Sequence, residues 1–304
     1  MVKKFGAVSL NTWRKTADGG AAAFMSVTAG AVLALVLAIA AGLWVKSSPL
    51  LADHSLWDIL SGSEWRPGKG LFGLLPFVSG TFYVTGVAVA MALPASVLLA
   101  VLLTEYSGPA VRRFVYPLLD ILASLPSVIF GVWGTLVVVP IVSGVVGPAV
   151  GTYTSGYTLL SGAVVLSVMI LPLLVSLLIE IFGSVGDSMR ESSMALGATR
   201  WQTVKHVVLR ASLPGMVAST VLAVSRALGE TIAVLMVCGN VAAVPGSLLD
   251  ACYPLPALIA NNYGEMMSVP LYDAALMLAA FILFAIIVVF NVGARIYLKS
   301  IKKY

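Results

Sequence analysis

Charged residues are scarce in this sequence of 304 residues: 18 are Lys or Arg, 13 are Asp or Glu, and together they make up 10% of the chain. Soluble domains carry about 25% charged residues. Here 60% of the residues are hydrophobic and the mean hydropathy is +1.01. The composition excludes an ordinary soluble domain and predicts a polytopic membrane protein. The net charge of +5 does not indicate nucleic-acid binding, because the basic residues are dispersed between apolar runs.

Cysteine and histidine are equally rare, with two residues of each kind. Cys238 and Cys252 are too few for a disulfide framework or a metal knuckle, and either one disulfide or two unpaired thiols would fit them. His54 and His206 lie in separate segments on opposite predicted sides of the membrane. The sequence therefore lacks the residues needed for zinc-dependent hydrolysis and for a Ser/His/Asp triad. We expect no catalytic residue, no metal and no cofactor.

A nucleotide-binding loop is also missing. The pattern G-x-x-x-x-G-K-[ST], which cradles nucleotide phosphates, does not occur in the sequence. Its nearest approach, Gly62 with Gly68-Lys69-Gly70, has the wrong spacing and lies in a segment predicted outside the membrane. We therefore expect that this chain does not hydrolyse nucleotides and is not an enzyme.

Long apolar runs are the main feature that is present. Six of them can cross the roughly 30 Å hydrocarbon core of a bilayer, so the sequence predicts an all-α membrane protein with six transmembrane helices. Residues 1–20 are predicted as a tail, and residues 21–304 as a single transmembrane domain. The predicted spans are 21–45, 78–103, 115–142, 159–182, 214–238 and 272–298.

Basic residues divide unevenly between the segments that join these spans. The four predicted inside segments contain fourteen Lys and Arg, whereas the three outside segments contain three. Since Lys and Arg favour the cytoplasmic side of a membrane, this distribution predicts a multi-pass protein of the cell (inner or plasma) membrane with both termini in the cytoplasm.

The third run contains residues that bend helices. Pro126 follows a leucine, and Gly131 and Gly134 lie a few residues further on. Irregular backbone at membrane depth is tolerated only where it is buried in protein or lines a cavity. We expect a bent helix near a pathway here, although a kinked and purely structural span would carry the same pattern. Residues 143–157 are predicted as an outside loop or a partly re-entrant segment.

One extended polar stretch, Arg190 to Gly215, separates the fourth and fifth spans. Its excess of Lys and Arg predicts a cytoplasmic location, and the lack of Gly and Pro between Gly197 and Pro214 predicts a helix near 188–212. We interpret it as a docking element for a cytoplasmic protein, with Glu191 and the basic residues supplying polar contacts. The alternative is an amphipathic helix on the lipid surface. The apolar residues form no long, bulky stripe, which favours docking.

Two opposite charges lie within the predicted fifth span. Arg226 and Glu230 are four residues apart and would fall on one helix face, together with Ser219 and Ala223. Each charge costs about 2.5–3.5 kcal/mol on insertion scales, so it should face a cavity or the bundle interior. Either the two form a buried pair that fixes the helix register, or Arg226 attracts a passing anion that Glu230 orients or excludes. A forked guanidinium suits a tetrahedral oxyanion.

The start of the polar stretch resembles a known motif. Glu191-Ser192-Ser193 followed by Gly197 is similar to the EAA motif of ABC importer permeases, with serines in place of both alanines. The motif usually ends in I-x-L-P, where this chain has Val207-Val208-Leu209-Arg210. The resemblance implies the type I ABC importer permease fold and a coupling helix that inserts into a groove on an ATPase. The residues that would couple to the ATPase are Glu191, Ser192, Ser193 and Gly197.

A second block narrows the resemblance. The sequence from Ser225 to Thr231 is similar to a block of PstC-type permeases of the high-affinity phosphate importer. The similarity continues after this stretch, at Ala233-Val234 and Gly239-Asn240. The segment 125–134 agrees as well, and the resemblance covers about residues 60–298. It implies that inorganic phosphate is translocated. The pathway residues it implies are Arg226, Glu230, Ser225 and Thr231.

The same resemblance implies an assembly. This chain would pair with a PstA-type permease, with two PstB-type ATPase subunits below and a PstS-type phosphate-binding protein above. Membrane lipid would surround the complex, and no nucleic acid is involved. ATP would be hydrolysed by the partner chains. Closing of the ATPase dimer would move the helix near 188–212, and this movement would swing the fifth span and reorient the cavity around Arg226 and Glu230.

Two other functions stay open at this point. A permease for molybdate, tungstate or sulfate would suit the same pair of charges, because one Arg and one Glu do not select between oxyanions of different size. An ATP-independent secondary transporter or channel is the more distant alternative. The coupling-like loop and the lack of a convincing internal repeat argue against it.

Overall fold

The computed structural model describes residues 7–265, 269 and 271–301, which form a helical bundle with one short hairpin. The helices are Ala7–Asp53 (α1), Leu56–Ser61 (α2), Leu75–Val101 (α3), Pro109–Ser124 (α4), Ser127–Trp133 (α5), Val139–Ile141 (α6), Gly147–Ala149 (α7), Leu159–Gly183 (α8), Asp187–Ala195 (α9), Arg200–Thr203 (α10), Leu209–Leu228 (α11), Ile232–Val237 (α12), Leu255–Asn262 (α13) and Tyr272–Ile301 (α14). The strands are Trp65–Arg66 (β1) and Leu71–Phe72 (β2). Helical turns of the π type extend or join these helices at Leu102–Tyr106, Gly134–Val138, Val142–Val146 and Val204–Val208.

The prediction of six spans is confirmed by length and composition. The fourth and sixth spans, α8 and α14, begin at the predicted residues 159 and 272. The first span is longer than predicted, because α1 continues beyond the apolar run at both ends. The helices able to cross a membrane are Asp18–Asp53, Leu75–Tyr106, Ser127–Ala149, Leu159–Gly183, Arg200–Leu228 and Tyr272–Ser300.

The core of the bundle is built around α8. This helix packs against α3, α4, α11 and α12, and its side chains at Leu166, Ile170, Leu174 and Leu178 are fully buried at a spacing of four residues. In contrast, the most apolar part of α1 has no buried residue, and α1 packs mainly along α14. The first span therefore lies at the periphery, with most of its surface available to lipid.

The hairpin covers one end of the bundle. β1 and β2 pair antiparallel across a 3₁₀ turn at Pro67–Lys69. The ring of Trp65 lies 5.2 Å from that of Phe77 and 6.1 Å from that of Tyr272. These edge-on and tilted contacts attach the hairpin to the ends of the second and sixth spans.

The predicted third span, 115–142, is broken at its Leu-Pro pair, and the observed third span begins only at Ser127. Leu125 and Pro126 have extended backbone, with ψ of 136° and 141°, and separate α4 from α5. The region from 131 to 134 is different, because the helix continues through it. Helical structure also extends to Ala149, so the predicted loop at 143–157 is wrong at its start, and the loop before α8 comprises residues 150–158.

Two glycines of the third span allow α12 to approach closely. A Cβ atom added at Gly131 would lie 2.6 Å from the Met236 sulfur, and one at Gly134 would lie 2.9 Å from the Val237 side chain. Both Met236 and Val237 belong to α12. The glycines therefore act as packing sites rather than as the helix breakers that the sequence suggested.

The polar stretch between the fourth and fifth spans is two helical segments rather than one. α9 is followed by Gly197, whose φ of +87° is a left-handed conformation that glycine adopts without steric strain. A capping box of Thr199 and Gln202 then starts a new helix at Arg200, which continues through α11. The prediction of one polar helix near 188–212 is wrong in its extent, because only α9 stands apart from the fifth span.

A third glycine contact yields a stability prediction. A Cβ at Gly162 of α8 would lie 2.3 Å from the sulfur of the buried Cys238, whereas a Cβ at Gly86 of α3 would meet no atom within 4 Å. We expect Gly162→Ala to lower the thermal unfolding temperature of the detergent-solubilised protein, because overpacking costs about 1–3 kcal/mol. Gly86→Ala should be neutral or stabilising, because it gains about 1 kcal/mol of helix propensity, as Gly162→Ala does, without the overpacking. Equal unfolding temperatures for the two variants would contradict this packing.

Candidate functional site

The fifth span is interrupted inside the bundle. α11 ends at Leu228, and α12 starts only at Ile232, after three non-helical residues. The prediction that Arg226 and Glu230 share one helix face is therefore wrong, since the helix stops between them. Gly229 is the only helix breaker at this point, and a lone glycine is tolerated within helices. The sequence pattern alone could not reveal the interruption.

Arg226 lies near the middle of the membrane-spanning bundle. Gly215 packs against Ile181, close to the end of α8, and Arg226 follows eleven residues later on the same helix, about 16 Å further along. That distance is about half of a 30 Å hydrocarbon core. The side chain is exposed, and within the described residues it forms no ion pair. A guanidinium at this depth requires water, an anion or a neighbouring subunit.

Glu230 points towards α12 instead of pairing with Arg226. Its Oε1 atom accepts a hydrogen bond of 3.2 Å from the backbone N–H of Ala233, in the first turn of α12. A carboxylate in this position satisfies a free helical N–H and favours the helix dipole. The neighbouring Thr231 donates from Oγ1 to the carbonyl oxygen of Gly229 at 3.2 Å. Both side chains therefore stabilise the interrupted backbone.

Ser225 connects the fifth span to the sixth. Its hydroxyl lies 2.8 Å from the carbonyl oxygen of Val221 and 3.1 Å from Oδ1 of Asn291 in α14. The Asn291 amide donates in turn to the carbonyl oxygen of Ile287 at 2.8 Å. Sequence reasoning missed Asn291, although a lone asparagine in an otherwise apolar span is a recognisable signal. Its neutral amide contacts Ser225, the residue that precedes Arg226 in the sequence.

Beyond the interruption, α12 is enclosed by the core. Ala233 and Val237 are fully buried. Asn240, which has a positive φ of 54°, donates from Nδ2 to the carbonyl oxygen of Leu235 at 2.9 Å. The backbone N–H of Cys252 donates to the carbonyl oxygen of Cys238 at 2.9 Å, and the two buried side chains are free thiols in this structure. The two ends of the segment between α12 and α13 are therefore joined by a backbone hydrogen bond.

The predicted coupling residues occupy different environments on α9. Glu191 and Ser192 are exposed, and Leu196, which follows them, is 90% exposed. Ser193 is half-buried, with its hydroxyl 3.0 Å from Oγ1 of Thr203 in α10. The region around Gly197 is open, since an added Cβ would meet no atom within 4 Å. Glu191, Ser192 and Leu196 can therefore contact a partner, whereas Ser193 ties α9 to the start of the fifth span.

Comparisons with known proteins identify the family of this chain. Residues 73–303 match the family described as the binding-protein-dependent transport system inner membrane component. The chain is 35% identical to a probable ABC transporter permease, YqgH, of Bacillus subtilis, over 79% of this chain and 78% of the relative. It is 32% identical to the phosphate transport system permease protein PstC of Xylella fastidiosa, over 90% of this chain and 87% of that relative.

Solved structures share the fold. A chain of the inward-facing MetNI methionine ABC transporter matches with a TM-score of 0.52 at 21% identity, covering 75% of this chain and 94% of that one. A chain of a bacterial ABC transporter that imports the acidic polysaccharide alginate matches with a TM-score of 0.59 at 15% identity, covering 82% and 83%. This chain therefore belongs to the binding-protein-dependent transport system inner membrane component family, as a multi-pass membrane permease subunit with the type I ABC importer fold.

Proposed function

We propose that this chain is the PstC-type permease subunit of an ATP-driven importer of inorganic phosphate. The proposal is supported by PstC-named relatives that align with about nine-tenths of the chain, at 32% identity. The structural observation that carries it is Arg226, an exposed guanidinium without an ionic partner among the described residues, beside a helix interruption at half the depth of the membrane. Such a group attracts an oxyanion and donates two parallel hydrogen bonds to it.

The proposed pathway follows from the side chains around the interruption. Arg226 supplies the positive charge, and the hydroxyls of Ser225 and Thr231 supply neutral hydrogen-bonding groups. Glu230, held at the start of α12, places a negative charge nearby, which limits how tightly an anion is retained. Weak retention suits a carrier, because the ion must leave as well as enter.

We further propose that α9 is the coupling helix. Glu191 and Ser192 contact the ATPase directly, while Ser193 and Gly197 fix the angle between α9 and the fifth span. Movement of α9 then reaches Arg226 along the continuous helix that begins at Arg200. ATP is hydrolysed by the partner, since no nucleotide-binding loop occurs in this sequence.

The proposed assembly and orientation complete the function. This chain pairs with a PstA-type permease. Two PstB-type ATPase subunits bind the pair, through the α9 end of this chain and the equivalent end of the second permease. A PstS-type protein delivers phosphate at the hairpin end. Both termini lie in the cytoplasm, as the distribution of Lys and Arg favours. Residues 1–20 form the tail, and residues 21–304 form one permease domain.

Anion competition tests the proposed substrate. Vesicles containing the assembled complex should take up labelled phosphate when ATP is supplied, and excess unlabelled phosphate should block that uptake. Excess molybdate, tungstate or sulfate should leave it nearly unchanged. Uptake of one of these anions in preference to phosphate would identify that anion as the substrate instead. Uptake by this chain without ATP or an ATPase would indicate a secondary transporter or a channel.

Replacing the guanidinium tests the proposed pathway. We expect Arg226→Gln to abolish phosphate uptake while leaving assembly with the ATPase intact, because the charge that attracts the anion is lost and the helix is kept. Arg226→Lys should retain part of the uptake, since it keeps the charge without the fork. Arg295→Gln, which replaces an exposed arginine near the end of α14, is the matched control and should transport normally. Normal uptake by Arg226→Gln would remove this residue from the pathway.

A further inference from the structure

A partly buried ion pair at the α9 end of the bundle joins two elements that are distant in sequence. Arg190 of α9 donates from Nη2 to Oε1 of Glu105 at 2.9 Å. Its Nε lies 3.2 Å and 3.3 Å from the two carboxylate oxygens. Glu105 belongs to the π-helical turn that ends the second span. The two side chains are only 15% and 12% exposed, so water screens the pair weakly.

The same guanidinium also holds the end of the fourth span. Its Nη2 donates to the carbonyl oxygen of Phe182 at 2.7 Å, and its Nη1 donates to the carbonyl oxygen of Val185. Phe182 lies in the last turn of α8, and Val185 lies in the linker to α9. A single arginine therefore links α9, the end of the fourth span and the end of the second span.

The end of the second span is held from its other side by Arg112 of α4. This arginine donates from Nε to the carbonyl oxygen of Leu103 at 2.7 Å, and from Nη2 to that of Thr104. The carbonyl groups of a π-helical turn are displaced from regular helical pairing, and such turns are frequent at functional sites. The turn at Leu102–Tyr106 is thus fixed by two arginines, one of which lies on α9.

The other ion pairs in residues 7–265, 269 and 271–301 are exposed. Arg190 lies 3.3 Å from Asp187, but the Asp187 side chain is 92% exposed. Arg66 and Glu64 are 3.7 Å apart and more than half exposed. Exposed pairs contribute little because solvent screens them. The Arg190–Glu105 pair is the one positioned to hold two elements together, because both its burial and its multiple hydrogen bonds resist separation.

Apolar packing lies beside the pair and contributes to its low exposure. Val101, near the end of the second span, packs in one buried cluster with Phe182 and Val185 from the end of the fourth span and with Val204 and Val208 from the fifth. The cluster limits the water on its own side of the charges, which strengthens their attraction, while a cavity of about 140 Å³ borders both charged side chains. The cluster does not include a residue of α9, so Arg190 supplies the polar link between α9 and the second span.

We propose that Arg190 and Glu105 form a clasp that makes the cytoplasmic end of the second span move together with α9. The fourth and fifth spans are joined to α9 by short linkers, but the second span is not next to it in the sequence. With the clasp, closing of the ATPase displaces the second span as well as the fifth. Both side chains are positioning residues, and neither contacts the transported anion. The inference rests on the proposed coupling role of α9.

Transport per ATP tests the clasp in vesicles that contain the assembled complex. Glu105→Gln removes the charge and one acceptor oxygen, and Arg190→Lys keeps the charge but cannot reach the carboxylate and both carbonyl oxygens. Each variant should keep its ATPase activity while the phosphate imported per ATP falls roughly tenfold, the scale of a typical coupling between sites. Asp187→Asn, which removes the exposed partner of the same arginine, is the matched control and should keep the wild-type ratio.

Two results of this transport experiment would overturn the clasp. An unchanged ratio in Glu105→Gln would show that the pair transmits nothing. A parallel loss of transport, ATPase activity and assembled complex would assign it to stability alone. Glu191→Arg provides the reference for failed docking, because it should reduce co-purification of the ATPase, whereas Glu105→Gln should not.

A distance measurement separates failure of the clasp from failure of the proposed substrate. Spin labels at position 102 of the second span and position 188 of α9 replace exposed residues. The clasp predicts one narrow distance that is the same in ATP-free and ATP-trapped complexes, and a broader distribution in Glu105→Gln. A wild-type distance that changes between the two states would overturn the clasp, whichever anion the complex carries.

Discussion

Backbone polar groups at membrane depth must be satisfied within the protein, and this constraint shapes the site around Arg226. Where α11 stops, the N–H groups of Gly229 and Glu230 bond to the carbonyl oxygens of Arg226 and Ala227, and the Glu230 carboxylate accepts from the first turn of α12. α12, which follows the interruption, packs against the third and fourth spans. The glycines that permit this packing are therefore a condition for the polar site.

The fold was largely predictable because the bilayer imposes a simple rule on composition. Apolar runs of sufficient length gave six spans, and the positions of α8 and α14 agreed at their starts. The bend at Leu125-Pro126 was also predictable, since proline has a defined local effect. Glycine has no such single effect. It packs at Gly131, takes a left-handed turn at Gly197 and ends a helix at Gly229, and only the tertiary contacts distinguish these roles.

The chemistry of the site was predictable in kind but not in geometry. An arginine is rare in an apolar run, and this indicated Arg226 as a site residue. The helical spacing predicted Glu230 on the same helix face, which is wrong because Glu230 lies beyond the end of α11. Asn291 and Glu105 escaped notice because their contacts join segments 66 and 85 residues apart. Local periodicity carries no information about such pairs. The exposed positions of Glu191 and Ser192, by contrast, agree with the motif that singled them out.

The central claim is that movement of α9 changes the access to the interruption in the fifth span. The most direct measurement places a cysteine at Thr231, beside that interruption, and treats the vesicle-bound complex with a membrane-impermeant thiol reagent from the hairpin side. The native cysteines are buried, which keeps background labelling low. The account predicts labelling when the ATPase is trapped closed with ATP and protection when it is open without nucleotide. Equal labelling in both states would contradict it.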